Sequence, residues 1–304
     1  MGGGTPRDGA APRPGGGSAH LLPEEIFPAH VAGITVRYVP VHDGVRLRVL
    51  EAGSPAGRPM VLVHGWGASA YSYRDALPAL AAAGFRAIAL DLPGHGLSDK
   101  PSALDAYSRP AMTAAVGALL DALDVRDACV VGVSMGGAIA LGLAIERHPR
   151  VGAIAPINPA GLGNVRFMAI AKAVTPLGLR DLAPYIVSRP LVDLFLHLAY
   201  WDSSRVTARV VDEYWATSRQ PGYAAAVVAC LHRFSWEPYP AAALAGISCP
   251  VLLVLGTHDH LIAAGETAAG AVPGLRTVRV AGGHAVNEEC PADVNAALVA
   301  FARE

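Results

Sequence analysis

The sequence is short of charge. Charged residues are 16% of its 304 positions, and the formal net charge is −1. Nucleic acid and anionic membrane surfaces attract clustered basic residues, so neither is expected as a partner. Blocks of like charge are absent, so no segment reads as an electrostatic arm. Cysteine is also scarce: the four residues at 129, 230, 249 and 290 form no CxxC pair and no metal-ligand spacing. A disulfide framework and a zinc site are therefore not expected. Cys129 and Cys249 lie in apolar runs and read as small core residues, which suits a reducing compartment. The opening stretch "MGGGTPRDGAAPRPGGGS" holds seven Gly and three Pro. It lacks the apolar centre of a secretory signal, so a cytoplasmic location is expected. Such a segment buries too little apolar surface to offset its ordering entropy, and residues 1–20 are expected to form a disordered tail.

Apolar residues, by contrast, reach 52%. Ala128 to Ile145 runs 18 residues without a charge, the lower limit for a membrane-spanning helix. Its first part, "ACVVGV", is rich in β-branched residues. A glycine cluster then separates it from "AIALGLAI", so the pattern changes from strand to helix. Flanking aromatic belts and lysine clusters are missing, and no membrane span is expected.

The same strand-to-helix change recurs along the chain. "ITVRYVPV" (34–41) and "VRLRVLEA" (45–52) alternate around Asp43-Gly44, a hairpin turn signal. "PMVLVHG" (59–65), "RAIALDLPGHG" (86–96), "ACVVGV" (128–133) and "VGAIAPIN" (151–158) are runs suited to strands buried on both faces. Helices are predicted over 73–85, 110–124 and 135–149. Residues 160–245 contain no clear buried strand and read as short amphipathic helices broken by Pro176, Pro184, Pro190 and Pro221. The strand rhythm returns with "CPVLLVLGTHD" (249–259), a helix near 262–271, "LRTVRV" (275–280) and a closing helix over 291–304. The pattern predicts an α/β core over 21–159 and 246–304, with a parallel sheet flanked by helices. A helical cap over 160–245 is inserted into it.

Within this frame "GVSMG" (132–136) matches G-x-S-x-G between a buried strand and a helix. A serine in so sharp a turn takes a strained backbone, and small residues two positions either side let the chains approach. The N-terminus of the following helix then faces developing negative charge. A serine hydroxyl is a weak nucleophile until a base takes its proton. His284, in "GGHAVNEE", follows the last predicted strand and lies at the same carboxyl edge as Ser134. Asp259 ends the preceding strand at that edge and can orient the imidazole, while also capping a helix. The order Ser134, Asp259, His284 is the order found in α/β-hydrolases. Asp91 reads as fixing the "LPGHG" loop, and no rival acid follows "VGAIAPI", where the residue is Asn158. The backbone N–H groups of Met135 and of Trp66, in "HGWGAS", are the two donors expected for an oxyanion. His64, His95, His258 and His260 read as structural or pocket residues.

"HGWG", "DLPGHGLSD", "GVSMGG", "GTHD" and "GGHAVNEE" together resemble the successive signatures of the α/β-hydrolase fold superfamily, over about residues 34–304. The resemblance implies an eight-stranded, mostly parallel sheet with an antiparallel second strand, and no cofactor or metal. A serine at the nucleophile position departs from the typical haloalkane dehalogenase and epoxide hydrolase, where an aspartate attacks. Similar carbon–carbon bond hydrolases usually carry a "GPGA"-like run where this chain has "GWGAS". The expected function is therefore serine hydrolysis of a carboxylic ester or related acyl compound. A lactonase, thioesterase, acyltransferase or carbon–carbon hydrolase is the alternative, and a non-catalytic binding protein a third. Aromatics are 6% of the chain, yet they gather in the cap at "FLHLAYW", "EYW" and "FSWEPYP". Trp201, Trp215 and Trp236 are accordingly candidates to line a pocket for a hydrophobic acyl substrate, unless they serve to pack the cap onto the sheet.

Overall fold

The computed structural model describes Leu21 and residues 25–166, 168–262 and 266–304. The Gly/Pro-rich tail lies outside the described residues, as do residues 263–265 of the helix predicted near 262–271. Eight strands form one sheet: β1 (Ile34–Pro40), β2 (Arg46–Ala52), β3 (Pro59–Val63), β4 (Arg86–Leu90), β5 (Ala128–Val133), β6 (Val151–Ile157), β7 (Leu252–Gly256) and β8 (Arg276–Val280). Their spatial order is β1-β2-β4-β3-β5-β6-β7-β8. β2 runs antiparallel to both of its neighbours, and the remaining pairs are parallel. Asp43 and Gly44 both adopt positive φ in the β1–β2 turn, as an Asp-Gly hairpin requires.

The side-chain period of two separates two apolar layers. Val61, Val63, Ile88, Leu90, Val130 and Ile154 face one side, under helices α2 (Arg109–Ala122) and α3 (Met135–Ile145). Met60, Leu62, Ala87, Ala89, Cys129 and Val131 face the other, under α1 (Ala76–Ala82) and the C-terminal helix Pro291–Ala302. Burial on this scale pushes the Cys129 thiol up to about 12, so it packs as a small apolar group. The helix predicted over 73–85 is shorter than its apolar pattern. Ala70–Tyr73 forms a 3-10 turn capped by the Ser69 hydroxyl, and α1 closes at Gly84, whose φ is +92°.

The uncharged stretch 128–145 divides into β5 and the 11-residue α3. Among the described residues no helix is long and apolar enough to cross a membrane. The insertion between β6 and β7 contains α4 (Met168–Val174), α5 (Ala183–Ile186), α6 (Arg189–Ala199), α7 (Ala208–Ser218), α8 (Tyr223–Arg233) and α9 (Ala241–Ala245). Pro184 and Pro190 stand in the first turns of α5 and α6. They begin helices rather than break them, because a first-turn residue has no intrahelical N–H partner to lose. The last helices are α10 (Glu266–Ala269), α11 (Val286–Glu289) and α12 (Pro291–Ala302).

From β3 the chain turns toward β4 on one side, and from β5 toward β6 on the other. A crevice opens beyond the carboxyl ends of two strands where the winding reverses in this way. The loop after β3 and the turn after β5 meet there. A Cβ on Gly136 would lie 2.1 Å from the Val63 carbonyl oxygen, and one on Gly132 2.1 Å from that of Gly136. Gly136→Ala is therefore expected to destabilise the fold by at least about 2 kcal/mol through overpacking. Urea unfolding of the variant measures it; an unchanged midpoint would show that the two segments can part freely.

Candidate active site

Ser134 sits between β5 and α3 with φ 55° and ψ −113°. A non-glycine residue holds such a backbone only where its surroundings over-determine it, at a cost of about 1–3 kcal/mol. Here the Ser134 N–H donates to the Ile157 carbonyl at 3.0 Å, and its own carbonyl accepts from Ala138 and Ala160 at 3.1 and 3.0 Å. The serine is half-buried, and the loop after β3 passes directly over it. A Cβ on Gly65 would lie 3.3 Å from the Ser134 Cβ. The Met135 N–H opens α3, where the helix supplies no partner for it.

Asp259 and His284 are brought together from the loops after β7 and β8. His284 Nδ1 lies 2.8 Å from Asp259 Oδ2. The other carboxylate oxygen accepts the N–H groups of Leu261 and Ile262 at 2.8 and 3.1 Å. Burial pushes the Asp259 carboxyl up, but the His284 hydrogen bond and charge and those two N–H groups hold it below the usual carboxylate value. The aspartate thus caps a turn and orients the imidazole at once.

Asn158, which in the sequence marks only the absence of a rival acid, ties this region together. It follows β6 with φ 40°. Its Nδ2 donates to the carbonyls of Gly283 and His284 at 3.0 Å each, and its Oδ1 accepts the Gly256 N–H at 2.8 Å. An amide serves here because the site needs both a donor and an acceptor, which a carboxylate cannot supply.

The loops on the far side of Ser134 rest on buried polar groups. Asp91 is fully buried; its carboxylate accepts the N–H groups of Ala70 and Leu97 at 2.7 and 2.8 Å and pairs with Arg48 at 3.2 Å. It fixes the "LPGHG" loop as its position suggests. A Cβ on Gly96 would fall 2.2 Å from that carboxylate. His64 donates from Nδ1 to the Gly65 carbonyl (2.7 Å) and accepts the Leu92 N–H at Nε2 (3.0 Å). Both nitrogens are spent, so it anchors a loop. Burial lowers its affinity for a proton against the attraction of Asp91, and burial pushes His95 down to about 3.

The three cap tryptophans differ in their surroundings. Trp236 is buried against Phe234 and edge-on to Trp66, and donates to the Leu231 carbonyl. Trp201 is half-exposed and stacks on His258, with ring centroids 3.8 Å apart. Trp215 is half-buried, and its indole N–H has no hydrogen-bond partner among the described residues. A cavity of about 270 Å³ lies beside Asp259, lined by Asn158, Leu162, Leu253, Leu255 and Ile262 among others. None of the three tryptophans borders it. Much of the cap's aromatic content fastens the cap to the core: Tyr200 and Tyr214 both donate to Glu288, and Tyr239 to the Ala138 carbonyl. Among the described residues no group of three or more His, Cys, Asp or Glu is placed to hold a metal ion.

With this geometry in view, the comparisons with known proteins place the chain. A model of the alpha/beta hydrolase family matches residues 60–297, and the chain belongs to that family. It is 34% identical over 257 residues to the magnesium-chelatase 30 kDa subunit of Rhodobacter capsulatus, covering 79% of this chain and 85% of that protein. Among solved structures it is similar to the enol-lactonase of Burkholderia xenovorans LB400, with a TM-score of 0.73 and 25% identity over 88% of this chain and 100% of that one. It is also similar to epoxide hydrolase A of Mycobacterium thermoresistibile, with a TM-score of 0.69 and 25% identity over 89% and 98% of the two chains.

The buried neutral imidazoles fix a pH response. The unfolded chain binds a proton at His95 below about pH 6.5, and the folded protein does not until about pH 3. Between those values the unfolded state holds more protons, so stability falls as the pH falls, by about 1.4 kcal/mol per pH unit for this group. Urea melts between pH 6 and 4.5 are expected to show at least that slope, and His95→Gln to reduce it by up to about 1.4 kcal/mol per pH unit. An identical slope in the variant would refute the assignment.

Proposed function

We propose that the chain is a serine hydrolase that cleaves a carboxylic ester or a related acyl compound through an acyl-enzyme intermediate. The observation that carries this reading is the Asp259–His284 hydrogen bond, made at the same sheet edge as a serine held in a strained strand–helix turn. In this reading Ser134 Oγ attacks the acyl carbon while His284 takes its proton at Nε2. The backbone N–H groups of Trp66 and Met135 hold the oxyanion. The imidazolium, stabilised by Asp259, gives its proton to the leaving oxygen as the acyl–oxygen bond breaks. Water then attacks the acyl-serine with His284 again as base, and the acid leaves with Ser134 restored. Serine at this position separates the chain from relatives in which an aspartate attacks. The similarity to an enol-lactonase supports acyl chemistry and extends the substrate class to lactones.

Residues 160–245 are the cap in this reading, and a hydrophobic acyl group is the substrate part that meets it. Its α8 lies against the oxyanion loop: Trp66 Nε1 donates to the Val227 carbonyl at 2.9 Å, and the Tyr223 hydroxyl to that of Gly67 at 2.6 Å. A second reading is a non-catalytic binding protein. It draws support from the 34% identity to a protein named as a chelatase subunit rather than a hydrolase. A fluorophosphonate probe separates the two. The hydrolase reading expects covalent labelling at Ser134, and ester turnover that Ser134→Ala lowers by about four to six orders of magnitude. An unlabelled protein, or turnover unchanged in the variant, would favour the binding protein.

Chain-length profiling with p-nitrophenyl esters tests the substrate class. Rates are expected to rise from acetate to medium acyl chains as apolar surface is buried in the transition state. A sharp preference for acetate would rule out an extended apolar pocket.

A further inference from the structure

We propose that Glu289 is a positioning residue for His284, and that it makes the place of the imidazole depend on the helical insertion. This rests on the reading of His284 as the general base. Glu289 is buried, and its carboxylate accepts three backbone N–H groups. Oε1 takes that of Gly283 at 2.8 Å, and Oε2 takes those of Trp201 and Asp202 at 2.9 Å each. Gly283 immediately precedes His284, whereas Trp201 and Asp202 follow α6 in the insertion. One carboxylate therefore joins the two segments.

The joint is tight on every side. The N–H groups of His284 and Ala285 both donate to the Ala199 carbonyl, at 2.8 and 3.2 Å. A Cβ on Gly283 would stand 2.6 Å from the Trp201 nitrogen and 2.8 Å from the Ala199 oxygen, so the two backbones touch. With Asn158 holding the carbonyls of Gly283 and His284, every backbone polar group of these two residues is fixed. Glu288 holds the same end of the insertion from beside Glu289, pairing with Arg74, Tyr200 and Tyr214.

The chemistry of the joint requires a carboxylate. Three donors converge on it, and a carboxylate is an acceptor at both oxygens. Glutamine would turn its NH2 toward Gly283 or toward the Trp201–Asp202 pair, leaving a donor facing a donor. The His284 peptide would then be released on one side. The His284–Asp259 bond is 2.8 Å long, and a displacement of about 1 Å in reacting groups costs up to about a hundredfold in rate.

The experiment uses purified Glu289→Gln and Gly283→Ala beside the wild-type chain, each shown folded by its thermal transition. Three quantities are read: steady-state kinetics on a short p-nitrophenyl ester, the rate of fluorophosphonate labelling, and the low-field proton resonance of the His284–Asp259 hydrogen bond. In folded Glu289→Gln, kcat and the labelling rate are expected to fall about ten- to a hundredfold with KM within about twofold. The resonance is expected to shift or broaden away. Wild-type kcat and an unmoved resonance would overturn the proposal, and a loss of thermal stability alone would mark Glu289 as merely structural. Should Glu289→Gln not fold, Gly283→Ala decides by the same criteria, because its methyl group forces the same joint apart. The resonance needs no substrate. It tests the positioning even if the wild-type chain proves unlabelled, a result that would overturn the hydrolase reading instead.

Discussion

Everything at the candidate site depends on how closely two backbones can pass. The turn after β5 crosses the end of β3 with no space for a methyl group at Gly136, and closes on itself with none at Gly132. That contact forces the chain to reverse within a few residues and leaves Ser134 at a positive φ. The strain is local, but its support is spread over β6 and the loop after it, through the Ile157 and Ala160 backbones. A serine so placed has few conformations to choose among. In the proposed function it meets a reacting carbon with little further loss of entropy.

The fold was legible in the sequence because its strands announce themselves twice. β3, β5 and β6 are nearly continuous apolar runs, and each is followed by glycine or by a change to helical spacing. The Asp43-Gly44 turn gave away the antiparallel strand. The placement of Ser134, Asp259 and His284 at one sheet edge was legible for a related reason: each follows a strand at its carboxyl end, so position along the chain fixes position in space. Asn158 and the Glu288–Glu289 pair were not. Their roles lie in hydrogen bonds to backbone groups far away in sequence, such as Gly283 and Trp201, and pairwise contacts of that kind leave no periodic trace. The proline-rich cap was the other gap. Proline at the first turn of a helix and proline that ends one look alike until the N–H partners are known.

The cap is less a separate lid than an extension of the loops beneath it. It grips the loop after β3 through Tyr223 and the Val227 carbonyl, and the His284 loop through Ala199, Trp201 and Asp202. Several of its tyrosines stand at such attachments: Tyr200 and Tyr214 at Glu288, Tyr223 at Gly67 and Tyr239 at Ala138. Tyrosine suits such seams, since it buries a large apolar ring and still offers a hydroxyl to a distant acceptor. Glu288 takes two of those hydroxyls and an arginine in one buried spot.

The placement of His284 after β8 has a consequence for the order of assembly. Ser134 and its turn belong to the middle of the chain, while the imidazole belongs to its last strand–helix connection. A domain folds as a unit, and the ribosome delivers β5 and its turn well before β8. In the proposed function, a chain that has made the Ser134 turn but not yet β8 holds its nucleophile without the base, and stays chemically silent. In that reading reactivity appears only when β8 and α12 dock against the sheet, so it belongs to the completed fold rather than to any part of it.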